Sequence, residues 1–141
     1  MLRNFGSAVM ACLEKFMIFR GRASRAEFWW FFLAWLIASV IAAILELILR
    51  TNMISVGVQV AFVLPILAAG ARRLHDTDRP GYYLAMPLLS VPFYLFGPQY
   101  WGMAFLFLEA LLLLLLALPG QRGPNRYGPD PRDETDAAVF E

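Results

Sequence analysis

The sequence of 141 residues has few charged side chains, one cysteine and one histidine. Only 16% of its residues are charged and 60% are hydrophobic, whereas a soluble domain has about 25% charged residues. Cys12 excludes an internal disulfide because it has no second cysteine to pair with, and its thiol is expected to be apolar filling on a helix face. A net charge of +1 provides no basic field for nucleic acid. These shortages favour a small membrane protein and argue against a nucleic-acid partner.

The hydrophobic residues are concentrated in four stretches that short polar segments separate. A helix that crosses the hydrocarbon core needs about 20 residues, with about 17 as the lower limit. The third stretch is the shortest and contains two prolines, each of which removes a backbone donor. The sequence therefore predicts an all-α polytopic membrane protein with four transmembrane helices, of which the third is short and kinked by proline. The predicted spans are residues 28–49, 53–71, 82–97 and 100–118.

The residues before the first span predict a separate helix. Large apolar residues recur there at helical spacing, at Leu2, Phe5, Val9, Leu13 and Phe16. This pattern indicates an amphipathic helix at the membrane interface, and the alternative is a short helix packed on the bundle itself. The charged pair at residues 14–15 interrupts the apolar segment, so a cleavable signal peptide is not expected. Residues 1–131 are predicted to form one helical membrane domain, and residues 132–141 a short, acidic, flexible tail.

The basic residues are divided unevenly between the two sides of the predicted bundle. If the N-terminus is cytoplasmic, residues 1–27, 72–81 and 119–141 lie on the same side and contain eleven of the 12 Lys and Arg residues. Arg50 is the exception. Because Lys and Arg near span ends are retained on the cytoplasmic side, the sequence predicts a multi-pass protein with both termini in the cytoplasm.

Two polar side chains, Gln59 and Glu109, fall within the predicted spans. At 1.5 Å per residue, Glu109 lies about 13–14 Å into the fourth span, near the midplane of a core about 30 Å thick. A charged acid at that depth is costly, so protonation and a hydrogen bond to Gln59 are predicted. The alternative is that Glu109 carries protons or ions through a transporter.

Small residues at four-residue spacing are predicted to let helices approach closely within the membrane. The first span has Ala34, Ala38 and Ala42 at this spacing, and the second has Gly57 and Ala61.

Three polar motifs are predicted to meet at the cytoplasmic end of the bundle. They are FRGRASRAEFWWFF at residues 19–32, RRLHDTDRPGYY at 72–83 and LPGQRGPNRYGPDP at 118–131. Gly21 permits a tight turn, and Ser24 with Glu27 has the spacing of a capping box at the start of the first span. We call the candidate residues of these motifs the polar cluster. Its members are Arg22, Arg25, Glu27, Arg72, Arg73, His75, Asp76, Asp78, Arg79, Asn125, Arg126, Tyr127 and Asp130.

These three motifs, in this order and separated by apolar spans, resemble the family catalogued as domain of unknown function 805 (DUF805). The resemblance covers roughly residues 16–131. It implies a small bacterial inner-membrane protein, and it implies no established activity. The chain departs mildly from the family pattern at Pro80, at Tyr82 and Tyr83, and in the letters GQRG.

The polar cluster permits several interpretations. Arginine forks pair with carboxylates in two-pronged geometry, which favours an Arg–Asp network that clamps the loop to the tail. A pocket for an anionic headgroup or a phosphate ligand is the alternative. His75, Asp76 and Asp78 could supply hard metal ligands, but one histidine is weak support, and neither a metal nor a cofactor is predicted.

Three functional hypotheses follow. The first is a non-catalytic accessory, scaffold or lipid-associated subunit, whose partners are membrane lipids with anionic headgroups, other membrane subunits or a second copy of the chain. The second is a small oligomeric transporter or channel that uses Glu109. The third is an enzyme that acts on lipid headgroups through His75, Asp76 and Asp78.

Overall fold

The structure is a computed structural model that describes residues 5–90 and 102–132. Its elements are α1 (Phe5–Glu14), α2 (Arg25–Leu49), α3 (Ile54–Asp76), a 3-10 helix (Gly81–Ser90) and α4 (Gly102–Ala117). Within these ranges the only extended pairing is an isolated bridge between Asn125 and Gly128. The all-α prediction is confirmed. Two helices in the described ranges, α2 and α3, are long and apolar enough to cross a membrane. Because four were predicted, the number of transmembrane helices stays a prediction.

α2 begins at the predicted cap. The Ser24 hydroxyl accepts a hydrogen bond from the Glu27 backbone N–H at 3.2 Å, which satisfies one of the free donors of the first turn. The Glu27 side chain, which a capping box would direct back to the cap, accepts from Arg72. At the other end Arg50 adopts the left-handed conformation (φ 51°) that terminates the helix. Glu46 then accepts hydrogen bonds from the backbone and hydroxyl of Ser55 at 2.8 and 2.7 Å, and so joins α2 to the first turn of α3.

α3 is longer than predicted. The second span was expected to end at residue 71 and to be followed by a loop over residues 72–81, but the helix continues to Asp76. The turn is confined to the next few residues, where Asp78 has a positive φ of 56°. Arg72 and Arg73 therefore lie on a helix and are buried at the end of the bundle. The connection expected over residues 72–81 is present but shorter, because its first five residues belong to α3.

The third predicted span begins as a 3-10 helix over Gly81–Ser90, with Pro87 inside it. A 3-10 helix rises about 2.0 Å per residue and has poorer hydrogen-bond geometry than an α-helix. Residues 91–97 lie outside the described residues, so a complete crossing stays a prediction. The fourth predicted span corresponds to α4, which has 16 residues.

The buried core lies at one end of the bundle, next to the polar cluster. α1 packs against α2 through Ala8 and Cys12, both fully buried, while Met10 and Leu13 remain exposed. The other core members are Phe28, Phe31, Ala69, Leu74, Leu112 and Leu116. At the opposite end the side chains of α2 are open, and Leu47 is 82% exposed. Burial is therefore concentrated where the three motifs meet.

The two small-residue patterns have different surroundings. Ala42 of α2 is buried, whereas Gly57 and Ala61 of α3 are exposed. A methyl group added at Gly57 would meet no atom within 4 Å. The predicted close approach at Gly57 and Ala61 is not made to any described part of this chain.

Candidate functional site

Asp76 lies at the centre of the polar cluster, at the last residue of α3. Its Oδ1 accepts a hydrogen bond from Arg22 Nε at 3.0 Å, and its Oδ2 accepts one from Arg73 Nη1 at 2.5 Å. The side chains of the two arginines are 1% and 0% exposed. Hydrogen bonds between ionised partners are shorter and roughly twice as strong as neutral ones. Asp76 thus joins the first motif to the second in a buried ion-pair network.

Arg73 connects this network to α4. Its Nε donates to the Leu116 carbonyl at 3.0 Å, and its Nη2 donates to the Leu118 carbonyl. The last carbonyls of a helix have no partner within the helix, so they need donors from elsewhere. Arg73 therefore acts as the cap of α4 while it pairs with Asp76.

Arg22 holds the segment that follows α4. Its Nη1 donates to the Gly123 carbonyl at 2.6 Å, and its Nη2 donates to the Gln121 carbonyl at 2.5 Å. The Gln121 N–H in turn donates to the Asp76 carbonyl at 2.8 Å. The segment after α4 is therefore hydrogen-bonded both to the Arg22 side chain and to the backbone of Asp76.

Glu27 and Arg72 form a second buried ion pair, between α2 and α3. Arg72 Nη1 lies 2.7 Å from Glu27 Oε1, and the side chains are 2% and 5% exposed. Cys12 Sγ lies 3.9 Å from the same carboxylate oxygen, so the thiol packs against this pair as well as filling the core. Arg72 Nε and Nη2 are buried and have no hydrogen-bond partner among the described residues.

His75 connects all three motifs through structural contacts. Its Nδ1 lies 3.1 Å from the Gly21 carbonyl, and because a carbonyl only accepts, Nδ1 carries the proton. The ring stacks on Tyr127 with 3.9 Å between centroids and 3° between planes. Asn125 Nδ2 donates to the His75 carbonyl at 2.8 Å. The guanidinium of Arg126 lies 4.9 Å from the centre of the Tyr127 ring.

The outer part of the cluster is more exposed. Arg126 Nε lies 3.1 Å from Asp78 Oδ1, with side chains 58% and 44% exposed. Asp130 is buried, and its carboxylate accepts from Arg132 Nε at 2.8 Å and from the Gly123 N–H at 3.0 Å. The side-chain hydrogen bonds from Arg132 hold the pKa of Asp130 well below its usual range.

The structure brings most of the predicted site residues together, with two exceptions. Arg25 is exposed and has no carboxylate partner among the described residues, and Arg79 bonds through its backbone N–H to the Leu74 carbonyl. The sequence interpretation missed Arg132, which it assigned to a flexible tail, and it missed Gly120, where an added Cβ would lie 1.8 Å from Asp76 Oδ2. Gly120 belongs to the quoted motif PGQRG, but the motif alone does not reveal which side chain it touches.

Gln59 and Glu109 line one cavity of about 430 Å³ between α2, α3 and α4. The hydrogen bond predicted between them is not formed. The Gln59 carbonyl oxygen accepts from Trp35 Nε1 at 3.0 Å, and its nitrogen lies 3.4 Å from Ser39 Oγ. Gln59 therefore joins α2 to α3, and Glu109 faces the same space from α4.

The described side chains form no group of three His, Cys, Asp or Glu residues that could hold a metal ion. The guanidinium groups of the described cluster donate hydrogen bonds to its carboxylates and to backbone carbonyls, and in this way they join the three motifs.

The family described as "Protein of unknown function (DUF805)" matches residues 16–129. The chain belongs to the DUF805 family. It is 37% identical over 125 residues to inner membrane protein YhaI of Escherichia coli strain K12, with 87% of this chain and 93% of that protein covered. It is 30% identical over 129 residues to inner membrane protein YhaH of the same strain, with 86% and 93% covered. No solved structure matches the chain. The DUF805 relatives are thus inner-membrane proteins by name, in agreement with the apolar α2 and α3.

Proposed function

We propose that this DUF805 protein is a non-catalytic binding subunit of the bacterial inner membrane, in which the polar cluster clamps the end of the helical bundle. Its role would be that of an accessory or scaffold component that presents a surface to lipid or to another membrane protein. The carrying observation is that Asp76, the central carboxylate, is bonded on both oxygens by buried arginines. A carboxylate held in this way is not available as a general base or as a metal ligand.

The surface of α2 supports a binding role. Only 6% of its most apolar segment is buried inside the protein, so the remaining apolar area needs lipid or protein around it. The exposed Gly57 and Ala61 offer one place where another helix could approach closely.

We further propose four spans with both termini in the cytoplasm. The support for this is the charge distribution, because eleven of the 12 Lys and Arg residues then lie on one side. We call the ion-paired part of the polar cluster, around Asp76 and Asp130, the clamp. In this topology the clamp would face the cytoplasm.

The test is native mass spectrometry of the full chain extracted from bacterial membranes in mild detergent. We expect a species that retains bound lipid, a partner subunit or a second copy. The matched variants are Asp76→Asn, which should lose the bound species because the clamp opens, and Arg126→Gln, which should keep it because its ion pair is largely exposed. A strict monomer of the native chain, without lipid or partner, would overturn the proposal.

The cavity shared by Gln59 and Glu109 favours a second candidate, a small transporter or channel. Ionisable groups inside a membrane commonly mark proton or ion pathways. Proton flux into vesicles that contain the protein would be followed with an internal pH dye. Glu109→Gln should abolish the flux and Glu46→Gln, at the helix end, should leave it unchanged. Equal flux in the wild type and Glu109→Gln would remove the main support for this candidate.

The enzyme hypothesis has less support, because the cavity of about 370 Å³ that His75 lines is otherwise almost entirely apolar. His75 uses Nδ1 on the Gly21 carbonyl and its ring face on Tyr127, and Asp76 is paired as described above. These contacts favour a positioning role for each residue.

A further inference from the structure

A cleft of about 670 Å³ opens at the start of α2, where the polar cluster meets the apolar helices. Ligand sites in proteins commonly have volumes of about 300–1,000 Å³, so the cleft can hold a lipid headgroup together with the upper part of its chains. We call it the interfacial cleft. The residues that matter for its chemistry are Arg25, Arg132, Trp29, Trp30, Leu33 and Ala117.

One wall of the interfacial cleft is cationic. Arg25 is exposed and pairs with no described carboxylate, whereas Arg132 pairs with Asp130 but remains 47% exposed. Two guanidinium groups thus line the cleft, and its described lining residues include no carboxylate. Charge complementarity therefore favours an anionic occupant.

The other wall is apolar and aromatic. Arg25, Trp29 and Leu33 follow one another at four-residue spacing along one face of α2. Trp30 and Ala117, the last residue of α4, complete the apolar lining. Neither indole N–H has an acceptor within the described part of the chain, since the indole bond found there belongs to Trp35. Tryptophan prefers the depth of lipid headgroups because its ring is apolar and its N–H is polar. A free anion would use only the cationic wall, whereas a phospholipid would use both.

We propose that the interfacial cleft binds an anionic phospholipid, with its headgroup phosphate on Arg25 and Arg132 and its acyl chains along Leu33 and Ala117. This inference deepens the proposed function and rests on it, because it names the ligand of the same binding protein. The site adjoins the clamp: Arg25 bonds to none of the clamp's carboxylates, whereas Arg132 bonds to Asp130 and to the Gln121 carbonyl and lies at the boundary between the two.

The experiment uses the full chain in detergent micelles and measures quenching of tryptophan fluorescence by lipids with brominated acyl chains. Phosphatidylglycerol is compared with phosphatidylcholine of the same chains. We expect phosphatidylglycerol to quench at lower concentration, and Arg25→Gln to weaken its binding about fivefold, as expected for the loss of one surface charge. Arg122→Gln is the matched control, because it removes an exposed positive charge that does not line the cleft. Arg25→Lys should retain the preference because the charge remains.

Two further measurements do not depend on how the variants fold. Salt at about 1 M reduces the screening length to about 3 Å, so it should abolish the preference of the wild type, and a preference that persists in salt contradicts the proposal. Inorganic phosphate should not displace phosphatidylglycerol, and displacement would reassign the cleft to free phosphate.

Equal quenching by the two lipids, or an equal effect of Arg122→Gln, would overturn the inference. If lipid or a partner is still retained in native mass spectra, the proposed function would survive that result. A monomer without either would overturn both.

Discussion

Gly120 lies so close to the Asp76 carboxylate that no side chain fits between them. An added Cβ would be 1.8 Å from Asp76 Oδ2 and 2.6 Å from its Cγ, whereas real Cβ atoms essentially never approach a heavy atom closer than 3.0 Å. The Gly120→Ala substitution must therefore displace either the carboxylate or the segment that carries Gly120. The clash is with a buried carboxylate that hydrogen bonds hold in place, so it cannot be relieved by rotating a free side chain.

Both displacements damage the same network. Movement of the carboxylate breaks its bonds to Arg22 and Arg73, and movement of the segment pulls the Gln121 N–H away from the Asp76 carbonyl. Breaking a buried ion pair costs about 3–5 kcal/mol because a charge is left unpaired. For a chain of this size that loss corresponds to a fall in Tm of the order of 10 °C.

The assay is thermal unfolding of the full chain in mild detergent, followed by tryptophan fluorescence. Gly57→Ala is the matched control: the added methyl group meets open space on an exposed helix, where alanine is favoured over glycine by about 1 kcal/mol. In an Asp76→Ala background the penalty of Gly120→Ala should largely vanish, because the atoms it strikes are absent. A Gly120→Ala protein that unfolds within about 2 °C of the wild type, or an undiminished penalty in that background, would refute the reasoning.

Two other substitutions test the clamp. Because Arg132 lowers the pKa of Asp130, the ionised pair stabilises the fold above the ordinary Asp pKa of 3.8 and is lost as pH falls through the lower folded value. Unfolding temperatures should thus decrease below about pH 4, and Asp130→Asn should flatten that decrease; an unchanged acid profile in the variant would contradict this. Arg73→Lys keeps the charge but loses the fork that reaches Asp76 and two carbonyls of α4, so it should lower Tm by several degrees in the same assay, and a wild-type Tm would contradict that reading.

Local sequence chemistry predicted the start of α2 well. The Ser24 cap needs only residues within one helical turn, and it forms as expected. The apolar stretches likewise predicted α2 and α3, because helix formation in an apolar environment depends mainly on length and composition.

The end of α3 could not be predicted in the same way. Arg72, Arg73 and Asp76 resemble a polar loop in a hydropathy profile, yet they form the last turns of the helix. What allows them to be buried is a set of partners distant in sequence, among them Glu27 and the Leu116 carbonyl. A linear profile contains no information on such partners, so the profile placed these residues outside the bundle.

The Gln59–Glu109 prediction failed for a related reason. Depth was calculated along each helix, which does not determine the direction in which a side chain points around the helix axis. Trp35 and Ser39 on the neighbouring α2 are nearer partners for the Gln59 amide. The similar depth of Gln59 and Glu109 along their helices places both at one cavity. The direction of each side chain around its helix axis determines which hydrogen bonds form.

The basic residues at this end of the protein fall into two classes that a count of charges does not separate. Arg22 and Arg73 are buried and share the carboxylate of Asp76, and they also donate hydrogen bonds to backbone carbonyl oxygens, so their donors are used within the fold. Arg25 is exposed, and no described carboxylate pairs with its charge. All of these arginines contribute to the orientation of the helices in the membrane. An anionic ligand is attracted mainly by those whose side chains stay exposed, which are Arg25 and in part Arg132. The arginines of the interfacial cleft can therefore attract an anion from outside the protein, whereas the arginines of the clamp stabilise the fold.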